Sequence, residues 1–470
     1  VGLGAGGVIP PVGQHQLTVT ASNASGSTTS AAVPVIIELF AGVRLNVGLG
    51  GAPQPRIDRT IEVNANMWRT SRFWSKIETT AGVYNWNDAA FANIETVLVP
   101  QGNAAGVRGE TAIAYGNSLY SNPSLDGAAG AQGRTKYGDF GQALAARFGN
   151  SLRLFSIWNE YPGGFAVPDQ DAPFDGLTWK DATPARYYAI QQAAYAKIKV
   201  GNPQAIVTGP VSVTAKTYNT DWITTLRDLP GGGGDQYIDW VNVHTYPASH
   251  TADPARRPET GARWMKNELN PIFPTPKPII VTEYGYSTSF TGNTEAEKAE
   301  FVARAYMSAR TVPNMRGFVW YELHHSGANS FGLCLGDAAL TRLAAFYSYQ
   351  DIALIFRRAL YYGRGAPNTG TEPLWFLKFK DTTGDVYVAW REEDGPTSLS
   401  FTFTASAAGN LSVRPVKTTS TPPAATNVAF SSGSNTKSIT LTTMPKFIRV
   451  PAGVTITPAA SYAFSTNPIP

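Results

Sequence analysis

The sequence predicts an α/β fold, a (β/α)8 TIM barrel with an accessory antiparallel β-sandwich, on three observations. From about Phe40 to Arg358 short apolar runs alternate with helix-periodic stretches, as the βα units of a parallel sheet do. Eight such runs can be read, the number that a closed barrel needs. After Arg358 the helical period disappears, and short alternating runs separated by turns take over, as in antiparallel sheets.

In chain order, residues 1–39 form an N-terminal β-hairpin segment, with Leu17–Ala21 and Val33–Ile37 as strands around Asn23-Ala24-Ser25-Gly26. Two strands cannot bury a core, so this segment is expected to pack on the barrel or to join the second sheet. It resembles the last hairpin of a bacterial immunoglobulin-like module. The barrel, residues 40–358, takes its strands from Val43–Val47, Trp68–Phe73, Thr111–Tyr115, Leu152–Trp158, Ala205–Thr208, Trp240–His244, Pro278–Thr282 and Gly317–Tyr321. Its helices include Arg134–Phe148, Pro184–Val200, Pro258–Leu269 and Thr294–Arg310, where apolar positions recur every three or four residues. A doubly wound nucleotide-binding sheet would need a phosphate loop. Gly48-Leu49-Gly50-Gly51 lacks the Lys-Ser/Thr pair, and Gly231–Gly234 follows a helix end. Residues 359–470 supply the sandwich strands Leu374–Phe379, Val386–Trp390, Leu399–Phe403, Leu411–Arg414, Ser438–Leu441 and Phe447–Val450.

Composition narrows the function. The 470 residues include 22 Phe, 21 Tyr and 11 Trp but are only 15% charged, which excludes disorder as the main state. Net charge is +4 with no run of Lys or Arg, so no nucleic-acid partner is expected and a neutral partner fits better. Cys334 is the single cysteine, which rules out an internal disulfide, a cysteine-rich zinc cluster and a two-cysteine redox site. The longest apolar stretch, Ala31–Val43, is broken by Glu38 and is shorter than the roughly 20 residues that span a bilayer. No membrane partner and no cofactor are expected, and the sequence sets no oligomeric state.

Chemistry in such a barrel is sought where strands end at the carboxyl face. The fourth strand ends Ile157-Trp158-Asn159-Glu160 and the seventh Val281-Thr282-Glu283-Tyr284, each placing a carboxylate directly after an apolar run. Burying such a charge costs several kcal/mol unless it is paired or used. Two carboxylates facing one mouth meet the demand of a retaining glycosidase, whose acid and nucleophile stand roughly 5–5.5 Å apart. A Ser-His-Asp hydrolase is disfavoured because no Gly-x-Ser-x-Gly elbow occurs and Ser212 lacks flanking glycines.

Ile157-Trp158-Asn159-Glu160 and Thr282-Glu283-Tyr284-Gly285 resemble the strand-4 and strand-7 signatures of glycoside hydrolase clan A. The segment Trp68–Glu78 followed by Gly82-Val83-Tyr84-Asn85-Trp86 most resembles family 39 within that clan. The resemblance implies Glu160 as general acid/base and Glu283 as nucleophile, held by Arg69 or Arg72 and by Tyr246. It further implies Asn159 on the sugar 2-hydroxyl and Trp320 stacked under the sugar. His244 is expected either to line the site or to be a hydrogen-bonded barrel residue. Tyr115, in the loop Tyr115–Tyr120, is a subsite candidate. Glu322 and His324 share one face of the strand-8 run and are candidates for a subsite, not for a metal, since no His-Glu-x-x-His helix accompanies them.

These readings converge on an extracellular or periplasmic retaining β-glycosidase acting on a polysaccharide or oligosaccharide. Internal cutting is expected because long segments, Tyr161 to Ala182 and Pro247 to Arg257, follow strands 4 and 6. The alternatives are a non-catalytic polysaccharide-binding protein and an exo-acting enzyme of the β-xylosidase or β-glucosidase type.

Overall fold

The computed structural model describes residues 13–17, 20–31, 33–45, 53–163, 182–214, 217–230, 233–246, 257–325, 330–365, 374–392, 398–431, 433–454 and 456–458. The chain divides into two compact units. Residues 40–302 and 314–346 make one; residues 1–39, 303–313 and 347–470 make the other. The division departs from a cut at residue 358, because part of the helix Glu295–Ala309 and most of the helix Ala344–Arg358 group with the C-terminal residues.

The first unit is a closed parallel barrel. Its strands are β1 (Phe40–Arg44), β2 (Met67–Phe73), β3 (Arg108–Ala114), β4 (Leu154–Ile157), β5 (Ile206–Thr214), β6 (Trp240–Tyr246), β7 (Ile279–Tyr284) and β8 (Met315–Trp320). Each strand pairs with its sequence neighbours, and β8 closes on β1 through Gly317–Phe40 to Trp320–Val43. The first strand thus begins three residues before the expected Val43, because Phe40, Ala41 and Gly42 find partners on β8. Asn46 and Val47 of the expected strand lie outside the described residues.

The barrel interior is layered. Met67, Leu154, Ile280 and Val319, with Phe40, Ile206 and Trp240 against them, make an apolar floor. Each of the four buried side chains Met67, Leu154, Ile280 and Val319 stabilises the fold by roughly 1.5–3 kcal/mol relative to exposure. Above it lies a polar layer containing Glu110, Ser156, Thr208, Asn242 and Thr282, every one of them buried. In a barrel, residues two apart on a strand face the same side, so Leu154 and Ser156, or Trp240 and Asn242, belong to successive layers.

Around the barrel, the helices Gly127–Phe148 and Pro184–Gly201 pack closely because small residues meet at the crossing. A Cβ on Gly138 would stand 3.0 Å from the Ala193 carbonyl oxygen, and one on Gly201 would fall 2.3 Å from that of Gln142. Thr183 caps the second helix, its side chain accepting from the Arg186 amide, with Pro184 at the first turn where no amide donor is needed. These helices carry Tyr137 and Tyr187, which matter below. No helix among the described residues is long and apolar enough to cross a membrane.

In the other unit, a six-stranded antiparallel sheet runs in the order Leu360–Arg364, Leu374–Asp381, Gly384–Arg391, Lys446–Arg449, Gly409–Pro415, Thr426–Phe430. A three-stranded sheet contains Gly433–Thr440, Ser398–Ala405 and Ile456–Pro458. Phe376, Tyr387, Leu411 and Ile448 from the first sheet share a core with Ala405, Ile439 and Ile456 from the second, which makes the pair a sandwich. Thr426–Phe430 escaped the sequence reading because it is short, mostly exposed and lacks a regular alternation of buried apolar and exposed polar residues, as an edge strand tolerates. Near the N-terminus, Gly13–Leu17 pairs with Val33–Ile37 and Thr20–Asn23 with Gly26–Thr29. Among the described residues these strands pair only with one another, not with either sandwich sheet.

Gly109 on β3 lies against the buried Trp68 ring, and a Cβ there would come within 2.3 Å of it. Gly109→Ala is therefore expected to destabilise the barrel by about 1–3 kcal/mol through overpacking, read as a lower urea midpoint with unchanged slope.

Candidate active site

The site assembles at the carboxyl ends of the barrel strands. Glu283, near the end of β7, is 4% exposed. One of its carboxylate oxygens, Oε1, accepts from Arg44 at the end of β1 and from Arg69 on β2. The other, Oε2, accepts from the Tyr246 hydroxyl at 3.1 Å and lies 3.7 Å from His244 Nδ1. Burial by itself would raise this carboxyl, but the Arg44 and Arg69 cations and the Tyr246 hydrogen bond outweigh it and hold Glu283 at about 2. It stays an anion at any ordinary pH. Burial first, and then the Glu283 anion, lift the Tyr246 phenol well above its usual range, so it remains a hydrogen-bond donor.

Glu160 follows β4 on a backbone that turns against the usual preference of L-residues. Trp158 has φ 64° and Glu160 φ 51°, a left-handed conformation costing roughly 1–2 kcal/mol per residue. Two helix-borne phenols buttress it. Tyr137 Oη accepts from the Trp158 amide at 3.1 Å and donates to the Ile113 carbonyl at 2.6 Å, while Tyr187 Oη donates to the Ile157 carbonyl at 3.1 Å. The Trp158 ring is clamped between Tyr115, Tyr137 and Tyr161. The turn aims Glu160 Oε1 at His244 Nδ1, 2.6 Å away.

Arg69, wholly buried, joins the halves of the site. One Nη donates to Glu283 and the other to Asn159 Oδ1 at 2.8 Å, and Nε faces Glu110 Oε2 at 3.1 Å. With its oxygen held, Asn159 has only its amide N–H groups to offer, one directed toward the Tyr115 hydroxyl at 3.4 Å.

The structure thus brings Glu160, Glu283, Asn159, Arg69, His244, Tyr246 and Tyr115 together. Arg72 is not with them. It is separated from Arg69 by an odd number of positions, so it points to the opposite face of β2, where it is buried, donates to the Ser71 carbonyl and is pushed down to about 9 by burial. Trp320 is also displaced from its expected role. Its ring is fully buried against Tyr284 and its indole donates to the Phe331 carbonyl, leaving no face for a sugar. Half-buried rings here include Tyr321, over which the Arg44 guanidinium lies, and Phe331, set edge-on to Tyr321 and to the likewise half-buried Tyr246. Glu322 is wholly buried and its charge acts on Arg44 and Arg56, while His324 is buried beside Arg56 and lowered to about 4 by burial and that cation. Glu322 presents no surface to a ligand.

Arg44 and the polar layer beneath were missed by sequence reading. The available signal was a polar residue inside an otherwise apolar strand, as in Val43-Arg44-Leu45 or Val241-Asn242-Val243. Glu78, which closes the segment beginning at Trp68, is structural: buried, it accepts from the Trp74 indole, the Gly82 amide and the Tyr120 hydroxyl, tying the loops after β2 and β3 together.

Glu160, His244 and Glu283 each offer one atom within 4.8 Å of the others, a spacing that a metal ion would also accept. The donor set argues otherwise, because two guanidinium groups already occupy Glu283 Oε1 and would repel a divalent cation. The arrangement suits proton transfer next to a fixed anion.

A closed barrel with this strand-4 and strand-7 carboxylate pair defines a glycosidase of clan A, the class expected from the sequence. The chain belongs to the cellulase family, glycosyl hydrolase family 5, whose model matches residues 54–321. No curated protein matches the chain. Its fold is similar to that of a family 39 glycoside hydrolase from the gut symbiont Bacteroides cellulosilyticus WH2, with a TM-score of 0.66 at 17% identity, over 94% of this chain and 89% of that one. It is also similar to a family 30 endoxylanase from Clostridium papyrosolvens C71, with a TM-score of 0.59 at 15% identity, over 88% and 96% of the two chains. A glucosidase from Croceicoccus marinus shares the fold at a TM-score of 0.52 and 13% identity, over 88% and 99%. At these identities the likeness is one of fold, so the resemblance to family 39 in the sequence stands beside membership of family 5.

Because Glu283 is depressed from an ordinary carboxylate value near about 4.3 to about 2, its contribution to stability is present above pH ~4.3 and is lost as pH falls through about 2. Wild-type protein should therefore lose stability across that window. Glu283→Gln should be less stable at pH 7, where it leaves two cations uncompensated, and should show a flatter dependence between pH 5 and 2 in chemical denaturation.

Proposed function

We propose that the chain is a retaining β-glycoside hydrolase that cuts a polysaccharide internally, with Glu283 as nucleophile and Glu160 as general acid/base. The observation that carries this reading is the approach of the Glu160 and Glu283 carboxyl groups to within 4.8 Å at the mouth. That spacing leaves no room for the water which inverting enzymes place between carboxyls roughly 6.5–9.5 Å apart. Glu283, anionic and pinned by Arg44, Arg69 and Tyr246, attacks the anomeric carbon while Glu160 protonates the leaving oxygen. A water then enters, Glu160 takes its proton, and the glycosyl ester to Glu283 is cleaved. The Asn159 amide is positioned to donate to the sugar 2-hydroxyl, a bond that strengthens as the oxocarbenium-like transition state forms. Tyr321 and Phe331, not Trp320, supply the aromatic surface on which a sugar ring stacks.

Polymer cleavage rests on the low net charge and on the lengths of the segments after β4 and β6, most of which lie outside the described residues. The family's name makes β-1,4-glucan the first polymer to test, with xylan beside it. A polymeric substrate implies an extracellular or periplasmic enzyme.

Turnover of the Glu283→Gln variant should fall by about 10³-fold or more, since an amide neither attacks nor carries the stabilising charge; near-wild-type turnover would sink the assignment. Glu160→Ala should lose far more activity on a natural glycoside than on one with an activated leaving group. Azide should rescue the latter and give a β-azide, whereas an α-azide would refute retention. Early release of mixed oligosaccharides with a drop in viscosity is expected, and monosaccharide as the sole early product would reject internal cutting.

A further inference from the structure

The polar layer under the site has a direction. Ser156 Oγ donates to Glu110 Oε1, whose other oxygen faces Arg69 Nε. Having spent its proton, Ser156 Oγ accepts from Asn242 Nδ2 at 2.8 Å, and the same amide nitrogen lies 3.0 Å from Thr208 Oγ1. That orientation leaves Asn242 Oδ1 as an acceptor, and the Thr282 hydroxyl donates to it at 2.7 Å. Thr282 Oγ1 can then only accept from its remaining neighbour, His244 Nε2 at 3.0 Å. All of these side chains are buried, so water does not rescue a mismatched donor or acceptor. The contact with Thr282 exists because the β6–β7 register shifts between Val243 and His244. His244 comes to stand opposite Glu283, and Thr282 and Glu283, which strict alternation would send to opposite faces, both reach the imidazole.

We propose that this ladder, running from Glu110 through Ser156, Asn242 and Thr282, fixes the proton of His244 on Nε2 and so makes Nδ1 the hydrogen-bond acceptor for a protonated Glu160. Asn242 and Thr282 are positioning residues that act through His244. The inference rests on the reading of Glu160 as acid/base. With His244 neutral, a carboxyl 2.6 Å from the Nδ1 lone pair can satisfy that contact only by donating, so the ladder selects the acid form needed in the first step. When Glu160 has given its proton to the leaving oxygen, its new charge faces that lone pair. The repulsion is relieved when Glu160 takes a proton from the incoming water, which returns the pair to its starting state. The other groups facing His244 are the Glu283 anion, with Arg44 and Arg69 behind it, and the Tyr246 phenol.

The test is nitrogen-15 NMR of the full chain labelled in histidine, with the His244 signals identified by their loss in His244→Gln. The expected result is a protonated Nε2 and an unprotonated Nδ1 in the wild type, a shift of the proton to Nδ1 in Thr282→Val, and the wild-type pattern in Thr282→Ser. Thr282→Val should also slow a glycoside with a poor leaving group by on the order of 10-fold or more while leaving an activated aryl glycoside nearly unaffected. A protonated Nδ1 in the wild type overturns the proposal even if no variant folds. So does an unmoved tautomer in Thr282→Val, or an equal loss on both substrates. The tautomer is read without turnover, so its failure is distinguishable from failure of the glycosidase reading, which would appear as an inactive wild type.

Discussion

A guanidinium with no solvent around it must find all its acceptors in the fold, and Arg69 does so in a way that organises everything near it. Its three nitrogens face Glu283 on β7, Asn159 after β4 and Glu110 on β3. Because the fork is planar and rigid, fixing one of these partners constrains the other two. Glu283 is thereby held as an anion, Asn159 is turned so that its amide nitrogen faces the mouth, and Glu110 is oriented to receive Ser156. Removing either carboxylate would leave the buried guanidinium short of one of its two counter-charges, which costs more than the net worth of the pair. The site and the polar layer under it are one electrostatic unit.

Around that unit the barrel pays for a strained segment in one place. Trp158 and Glu160 adopt left-handed backbone conformations that side chains other than glycine disfavour. The hydroxyls of Tyr137 and Tyr187 fasten the turn, and both come from helices whose glycines allow close packing. A surface loop could not hold Glu160 against His244 with comparable accuracy, since loops have few buried partners. Composition of the helices, seemingly remote from the chemistry, therefore decides where the acid/base stands.

His244 stands where the two systems meet. On one side its ring contacts Glu160 and lies near Glu283; on the other it ends the ladder that begins at Glu110. A neutral imidazole has one donor and one acceptor, so whatever sets one nitrogen sets the other. This makes the buried interior of the barrel, usually treated as filler, a determinant of the protonation state at the mouth.

Much of this was legible in the one-dimensional chain. Alternation of apolar runs with helix-periodic stretches is a local property, and it was enough for the barrel and for most of the sandwich strands. A carboxylate placed directly after a buried strand is anomalous on its own, so Glu160 and Glu283 stood out without coordinates. Other features depended on positions distant in sequence. Arg69 and Arg72 were equivalent candidates until the phase of β2 showed which one faces inward, since strand alternation says that they differ but not which way each points. Trp320 kept its strand but lost its expected role, because burial of a ring depends on neighbours such as Tyr284 contributed by another strand. Arg44, Glu110, Asn242 and Thr282 each looked like an isolated polar residue; only barrel closure and the shifted β6–β7 register bring them into hydrogen-bond reach. The sequence by itself determined the fold class and the pair of carboxylates, because these follow from local periodicity and the cost of burying charge. Tertiary structure alone decided which cations, hydroxyls and imidazole surround that pair, because hydrogen bonding acts over about 3 Å between groups the chain holds tens to hundreds of residues apart.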